Sequence, residues 1–275
     1  MQEDMPTEFQ VSRRNLVAMG ALAASAAGAI VGSVMMALAG NGNGDGNGNG
    51  NGNGRKDPHC FLKGTKVETA DGGRKIEKLA VGDLLPTVFG GLSSIQWIGR
   101  YRFKKGDPTK PWVKDVLPIR IARSALSHNV PHADLYVTTA HALLIDGVLV
   151  AAGNLVNGST ITRYDARELD ELEFFHIKLE RHDVIYAEGA PCETLLNVDE
   201  NAVNFAEYLR EYGSSETDEI PCTTVFRYGY RRSQIKSRFR SAISPLVDRR
   251  QTVDIIRDKL QARALALLRH PEQVL

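Results

Sequence analysis

The chain has 275 residues, of which 43% are hydrophobic, and a formal net charge of +1. This length and composition allow one substantial globular core with a tail or a small second unit to spare. The near-neutral charge excludes an overall polyelectrolyte, so binding to nucleic acid or to an anionic membrane would need a local basic patch. The three cysteines are odd in number and too few for a disulfide scaffold, so at least one stays unpaired in an exported chain. Cys60 is the natural one to remain unpaired. The sequence leaves undecided whether Cys192 and Cys222 form a disulfide.

The first 39 residues look like an export signal. Arg13 and Arg14 stand directly before an uncharged run from residue 16 to 39 that is rich in Ala and Gly, as in a twin-arginine signal. Ala37 and Ala39 supply the small residues of a signal-peptidase site, so we expect cleavage after Ala39 and export to the periplasm or the extracellular space. The alternative is an uncleaved membrane anchor over residues 16–39, because that run is about long enough to span ~20 residues of hydrocarbon.

Residues 40–59 form the predicted linker. From Gly40 to Gly54 the chain reads GNGNGDGNGNGNGNG, which offers no side chain that can pack and has the highest backbone entropy to lose. We therefore expect a flexible tether or an inert spacer. In either case, the protein would contact the membrane only through its N-terminal segment.

Short strands dominate the pattern from residue 60 to 197. Runs of β-branched and aliphatic residues alternate with turn dipeptides, such as Asp146-Gly147 between residues 142–145 and 148–150. Asp71-Gly72 and Asn157-Gly158 give two further hairpin signals. No βαβ spacing appears, so a parallel sheet is not expected. The sequence predicts one all-β domain over this range.

Residues 198–275 have a different character. Apolar residues recur at steps of three and four along a predicted C-terminal helix that packs back on the β domain: Val253, Ile256, Leu260, Ala264 and Leu267. The segment 221–247 is basic and interleaved with aromatic residues, a pattern that can bind single-stranded nucleic acid. A solvated basic face is the simpler interpretation, and no nucleic-acid partner is expected.

Three motifs follow one another in the β domain: CFLKGTKVETADGGRKIEKLAVGDLL at 60–85, VTTAHALL at 137–144 and FFHIKLERHDVIYAEG at 174–189. In this order they resemble the opening motif, which begins with a cysteine, the T-x-x-H motif and the final strand pair of the Hint (Hedgehog/intein) superfamily. The resemblance is greatest to the bacterial Hedgehog/intein-type Hint proteins. The resemblance implies a Hint-like, horseshoe-shaped β-fold over residues 60–197, followed by the α-helical extension.

The resemblance also implies a self-cleavage chemistry. Cys60 would attack the carbonyl carbon of His59 and convert the peptide bond into a thioester. Thr138 would orient or strain that peptide, and His141 would protonate the departing amide nitrogen as a general acid. His182 falls where the family often places a histidine, and Asp115 or Asp134 could supply an acidic group. The chain's own N-terminal arm would be the substrate, and an external nucleophile of unknown identity would resolve the thioester.

The chain departs from the family at three points. Ala190-Pro191-Cys192 stands where inteins have their final His-Asn pair, and the His-Asn pair at 128–129 precedes the T-x-x-H motif, so protein splicing is not expected. Nothing in residues 198–275 identifies a sterol-recognition region. His59 replaces the small residue that Hedgehog proteins have before the cysteine, and it could act as a second local base.

Three functional interpretations are open at this point. The first is an exported autoprocessing protein that cuts itself once, and the second is a non-catalytic secreted binding or structural module that retains the Hint shape. The third makes Cys60, His141 and His182 metal ligands, but their spacing matches no standard zinc pattern, so no metal or other cofactor is expected.

Overall fold

The computed structural model describes residues 59–198, 202–213, 220–226 and 250–269, together with 236, 240–242 and 244. The predicted signal, with Arg13, Arg14, Ala37 and Ala39, lies outside the described residues, as do residues 40–58 of the predicted linker. Most of the basic segment 221–247 also lies outside them. No helix within the described part of the chain is both long enough and apolar enough to cross a membrane.

Fourteen strands account for most of the regular structure in the described residues. The first seven are β1 (Phe61–Leu62), β2 (Lys66–Thr69), β3 (Gly72–Lys75), β4 (Leu84–Thr87), β5 (Gly91–Lys104), β6 (Ile119–Ile121) and β7 (Leu135–Val137). The others are β8 (Ala142–Ile145), β9 (Val148–Ala151), β10 (Ile161–Arg163), β11 (Glu171–Leu179), β12 (Val184–Ala187), β13 (Ala190–Glu193) and β14 (Val225–Phe226). Within the described residues they are accompanied by the α-helices α1 (Ala152–Leu155), α2 (Phe205–Tyr212) and α3 (Thr252–Arg269) and by short 3₁₀ helices at Ile76–Lys78 and Lys114–Val116.

The strands hydrogen-bond in the order β10-β6-β7-β1-β11-β5-β4-β12-β13-β8-β9-β14, and β2 pairs with β12 and β3 beside this path. The pairs are antiparallel except β14 and β9, which run parallel. The strand β11 pairs over its whole length with the second part of β5, from Glu171↔Lys104 to Leu179↔Ile95, with one irregularity after Lys178, and the first four residues of β5 pair with β4. The predicted all-β fold with a C-terminal helical extension is confirmed.

The hairpin between β8 and β9 forms as its turn residues predict. Asp146 and Gly147 both have positive φ, at 48° and 82°, which is the backbone conformation that a two-residue hairpin turn requires. Asn157-Gly158, in contrast, does not join two strands, because the residues before it end the short helix α1. The side chain of Asn157 accepts hydrogen bonds from the amides of Ser159 and Ile161, and this local turn replaces strand pairing.

The helix α3 packs on the β core through the predicted apolar face. Ile256 and Leu260 belong to the main hydrophobic cluster, which also includes inward-facing residues of β6, β7 and β8. At the start of α3 the carboxylate of Asp254, which is 0% exposed, accepts the amide of Gln251 and pairs with Arg240. Arg240, which the sequence assigns to a solvated basic face, therefore serves to hold the helix.

Candidate active site

The pairing of three strands places the candidate nucleophile. The short strand β1 lies between β7 and β11, and Phe61 is the partner of both Val137 and Phe175. In antiparallel ladders the residues next to a pair also face one another, so Cys60 lies beside Thr138 on one side and beside His176 on the other. Cys60 is 0% exposed.

Thr138 and Cys60 exchange two hydrogen bonds. The amide of Cys60 donates to Oγ1 of Thr138 at 2.8 Å, and the amide of Thr138 donates to the carbonyl oxygen of Cys60 at 2.9 Å. The Cys60 amide is the nitrogen of the His59–Cys60 peptide bond. A buried hydroxyl oxygen therefore contacts the leaving nitrogen of the bond that the sequence predicts to be cut.

The turn between β7 and β8 holds His141 in the interior. Its amide donates to the carbonyl oxygen of Thr138 at 3.2 Å, and its own carbonyl oxygen accepts the amide of Ala152 at 2.8 Å. The imidazole packs against the ring of Phe61, with 4.2 Å between centroids. Neither ring nitrogen has a hydrogen-bond partner among the described residues. The ring is thus fixed by packing and keeps both nitrogens for chemistry.

The protonation of His141 follows from its burial. Burial lowers the pKa of His141 to about 4, against a smaller rise from the charge of Glu193 and a further lowering from His59. A ring nitrogen also lies close enough to the backbone of His59 to raise the pKa slightly, although the contact is too loose for a hydrogen bond of normal geometry. His141 is therefore neutral near pH 7 and can accept a proton before it donates one.

Glu193 is a site residue that the sequence patterns did not indicate. It is buried at the end of β13, and its Oε1 accepts hydrogen bonds from Nδ1 of His59 and from the amide of Ala142, each at 2.7 Å. Burial alone would raise the pKa of Glu193, but the His59 hydrogen bond, the charges of His59 and His141 and the Ala142 amide together lower it. The carboxylate is therefore ionised beside the candidate scissile bond.

His176, on β11, is the second residue that the sequence patterns missed. Its ring lies parallel to that of His59, with 6.2 Å between centroids, and 5.4 Å from the centroid of His141. Burial and then the charges of His141, His59 and His182 lower the pKa of His176 well below its usual value. A neutral, buried imidazole thus lies close to both the acyl residue and the candidate general acid.

The structure places His182 at the edge of this cluster. It is close enough to His176 to lower the pKa of that residue, and its Nδ1 accepts the amide of Cys222 at 3.1 Å. The C-terminal segment therefore reaches the histidine cluster through Cys222. All three cysteines are free thiols, and burial raises the pKa of the Cys222 thiol to about 11.

The two aspartates considered from the sequence do not supply the acidic group of the cluster. Asp134 pairs with Nε of Arg120 at 2.7 Å and accepts the amide of Arg123, so it is a structural residue. Asp115 is exposed in a short turn of 3₁₀ helix. The carboxylate that lies beside the His59–Cys60 bond is instead that of Glu193. Within the described residues, no group of three or more His, Cys, Asp or Glu side chains is arranged to bind a metal ion.

The assembled residues have the parts that an acyl shift needs. A cysteine follows the bond, a hydroxyl contacts its nitrogen, a neutral imidazole lies near its carbonyl group, and a carboxylate holds the side chain of the acyl residue. These groups come from β1, the β7–β8 turn and β13, so the sheet brings together residues that are far apart in sequence. In an acyl shift, an imidazole takes the thiol proton and passes it to the amide nitrogen, and His141 is the neutral imidazole of this cluster.

Comparison with known proteins gives one family and a set of solved structures. Residues 59–199, just over half of the chain, match the family model described as Hint domain. No curated protein matches the chain. Among solved structures, the gp41-1 intein is 15% identical, with 49% of this chain and 98% of that chain covered and a TM-score of 0.35. The MchDnaB-1 intein is 14% identical, with 48% and 98% covered and a TM-score of 0.32. A DnaB intein from Synechocystis is 11% identical, with 50% and 99% covered and a TM-score of 0.33.

The family match spans more than half of the chain and includes the cysteine, the T-x-x-H turn and the final strand pair. The chain belongs to the Hint domain family.

Proposed function

We propose that the chain is an exported, self-processing Hint protein of the bacterial Hedgehog/intein type. Cys60 converts the His59–Cys60 peptide bond into a thioester, which water or an external nucleophile resolves without protein splicing. The observation that carries this proposal is the 2.8 Å hydrogen bond from the Cys60 amide to Oγ1 of Thr138, because it holds the nitrogen that would have to leave.

The first step needs a base, and neutral His141 can supply it. The Cys60 thiol gives its proton to a ring nitrogen of His141, and Sγ attacks the carbonyl carbon of His59. As the C–S bond forms, the carbonyl π electrons move to oxygen and give a tetrahedral oxyanion. Oγ1 of Thr138 accepts the amide hydrogen of Cys60 and so fixes the direction of that N–H bond. As the nitrogen becomes pyramidal, its lone pair must then develop on the opposite side.

The second step returns the proton. The C–N bond breaks, and the imidazolium of His141 protonates the departing nitrogen, which becomes the α-amine of Cys60. A buried imidazolium whose pKa is about 4 is a strong acid for this transfer. Water then adds to the thioester, the C–S bond breaks, the sulfur regains a proton, and His59 keeps a carboxylate. An external amine, alcohol or thiol would replace water in the same step.

The N-terminal arm would be the leaving segment. The twin-arginine pattern at Arg13 and Arg14 supports export. The small residues Ala37 and Ala39 support removal of the signal by cleavage after Ala39. If residues 16–39 remain as a membrane anchor, cleavage after His59 would release the domain from the membrane. The absence of a His-Asn pair after Gly189 supports cleavage in place of splicing.

Intact-mass measurement of the full chain, purified in a mild detergent, tests this function. Hydroxylamine or dithiothreitol should cut the wild-type chain between residues 59 and 60, because both attack thioesters. The variants Cys60→Ala and His141→Ala should stay joined at this bond or be cut there far more slowly. Hydroxylamine also cleaves Asn-Gly bonds, so only the mass of a cut between residues 59 and 60 is scored, and dithiothreitol, which spares Asn-Gly bonds, is the cleaner reagent. A wild-type chain that stays joined at this bond as fully as Cys60→Ala would instead be a binding or structural module with the Hint shape.

A further inference from the structure

Glu193 connects the two sides of the proposed cleavage site. One of its oxygens, Oε1, accepts both the Nδ1 hydrogen of His59 and the amide of Ala142, each at 2.7 Å. The first donor belongs to the acyl residue, and the second is the residue after His141. A single carboxylate oxygen therefore ties the substrate side of the junction to the turn that carries the proton-transferring histidine.

The position of this carboxylate is set by the sheet. Glu193 pairs with Val184 across β12 and β13, and the preceding residue, Cys192, pairs with Leu143 on β8. Groups on strands are held more closely than groups on loops. Glu193 is thus a fixed acceptor, to which the partly exposed side chain of His59 docks.

The charge of Glu193 makes the choice of residue 59 matter. Glu193 is buried and stays ionised, and a buried carboxylate that loses a donor is left incompletely satisfied. A glycine or alanine at position 59 would remove one of its two hydrogen bonds. Histidine supplies the donor at the right length, so the family's usual small residue is the poorer fit here.

The ring of His176 lies parallel to the imidazole of His59. The two rings are within 6° of parallel, and their centroids are 6.2 Å apart. His176 is itself buried and neutral, so it offers a flat, uncharged surface. A planar side chain with an N–H donor can therefore lie parallel to the ring of His176 and donate a hydrogen bond to the carboxylate of Glu193.

We propose that Glu193 is a positioning residue that selects histidine on the acyl side of the self-cleaved bond, an inference that rests on the proposed function. The substrate is then a His–Cys junction in place of the small-residue junction of Hedgehog proteins. By binding the imidazole, Glu193 holds the carbonyl carbon of His59 in the orientation that Cys60 attacks.

Cleavage rates of the full chain under hydroxylamine provide the first test. His59→Ala should slow cleavage about 10- to 100-fold, the effect of losing one hydrogen bond to a charged group. His59→Gln should retain more activity, because its amide can still donate. Adding Glu193→Gln to His59→Ala should cause little further loss, because the partner is already absent. Equal rates for wild type and His59→Ala would overturn the inference.

Chemical rescue distinguishes selection from general structural support. Imidazole added to His59→Ala should restore part of the rate by occupying the space between Glu193 and His176. The same imidazole should have no effect on the double variant His59→Ala/Glu193→Gln. Equal rescue of both variants, or rescue of neither, would count against a specific role for Glu193.

A non-cleaving background separates this inference from the proposed function. In Cys60→Ala, long-range ¹H–¹⁵N spectra should show a hydrogen on Nδ1 of His59, and Glu193→Gln should shift those ring signals while the exposed His128 stays unchanged. If wild type fails to cleave, the proposed function fails, and these spectra still decide whether Glu193 holds His59. His59 ring signals that match those of His128 and do not respond to Glu193→Gln would refute the inference.

Discussion

Two buried carboxylates in this molecule have different kinds of partner. Asp254, at the start of α3, is 0% exposed and is held by Arg240 through Nε at 2.6 Å and Nη2 at 3.2 Å. Glu193 is held by an imidazole and a backbone amide. The first carboxylate has a permanently charged, two-pronged partner, and the second has a partner that belongs to the bond proposed to break.

The difference indicates what each carboxylate is for. A guanidinium matches a carboxylate in geometry and stays charged at all accessible pH values, which suits a contact that only maintains the fold. In the proposed reaction, the partner of Glu193 leaves with the N-terminal arm when the junction is cut. We therefore expect changes at Asp254 to affect stability alone and changes at Glu193 to affect cleavage most.

The largest stability effect should come from Arg240→Ala. This change removes the two-pronged ion pair between Arg240 and the buried carboxylate of Asp254, and the free energy of unfolding should fall by about 3 kcal/mol. The rate of hydroxylamine cleavage under native conditions should stay within about twofold of wild type. Denaturant unfolding and intact-mass kinetics measure the two quantities. An unchanged unfolding midpoint would mean that the ion pair does not hold α3.

Acid should destabilise the site region through its neutral histidines. Both His141 and His176 have lowered pKa values in the folded chain, so the unfolded chain binds more protons as the pH falls below the ordinary value of 6.5. The free energy of unfolding is therefore highest above pH 6.5 and declines as the pH falls toward 4. His141 alone accounts for a loss of up to about 3 kcal/mol.

Unfolding measured between neutral pH and pH 4 checks this expectation. His176→Phe keeps a ring in the same place and removes one titrating group, so its stability should depend less steeply on pH in this range. A His176→Phe variant with the same pH dependence as wild type would show that His176 is not buried as a neutral group.

Thr138→Val should affect cleavage more than folding. The change keeps the shape of the side chain but removes the oxygen that accepts the Cys60 amide, so cleavage should slow about 10-fold. The free energy of unfolding should fall by about 1 kcal/mol. Thr138→Ser, which keeps the hydroxyl, is the matched control and should cleave close to the wild-type rate. If both variants cleave equally, the hydroxyl has no part in the reaction.

The smallest effect should come from Lys259→Ala on α3. Lys259 pairs with Asp146 at 2.8 Å, but both side chains are largely exposed, so the pair contributes less than about 1 kcal/mol. Unfolding in low and high salt should differ little between this variant and wild type. A loss as large as that of Arg240→Ala would remove the distinction between buried and exposed anchors of the helix.

Local sequence patterns predicted much of this fold and part of the candidate site. The Asp146-Gly147 turn and the apolar steps of α3 depend on neighbouring residues, so both could be predicted. Cys60, Thr138 and His141 were found through motif resemblance, and the pairing of β1 with β7 brings Cys60 and Thr138 into contact.

Glu193 and His176 could not be found in this way, because their roles depend on pairing between distant strands. Nothing near Glu193 in the sequence marks it as the partner of a residue 134 positions earlier. His176 alternates within a strand like any other residue of β11. Asn157-Gly158 was misjudged for the opposite reason, since a local side-chain turn replaced the strand pairing that the dipeptide suggested.

The central claim is that Cys60 forms a thioester with the carbonyl carbon of His59. Tandem mass spectrometry of the N-terminal fragment released by hydroxylamine tests it most directly, because hydroxylamine converts a thioester into a hydroxamate on the acyl residue. The account predicts a fragment that ends in a hydroxamate at His59, and none from Cys60→Ala. Hydroxylamine also opens Asn-Gly bonds, so fragments that end at the asparagines of residues 40–54 are expected from both proteins. The absence of a hydroxamate at His59 in wild type, or its presence in Cys60→Ala, would contradict the claim.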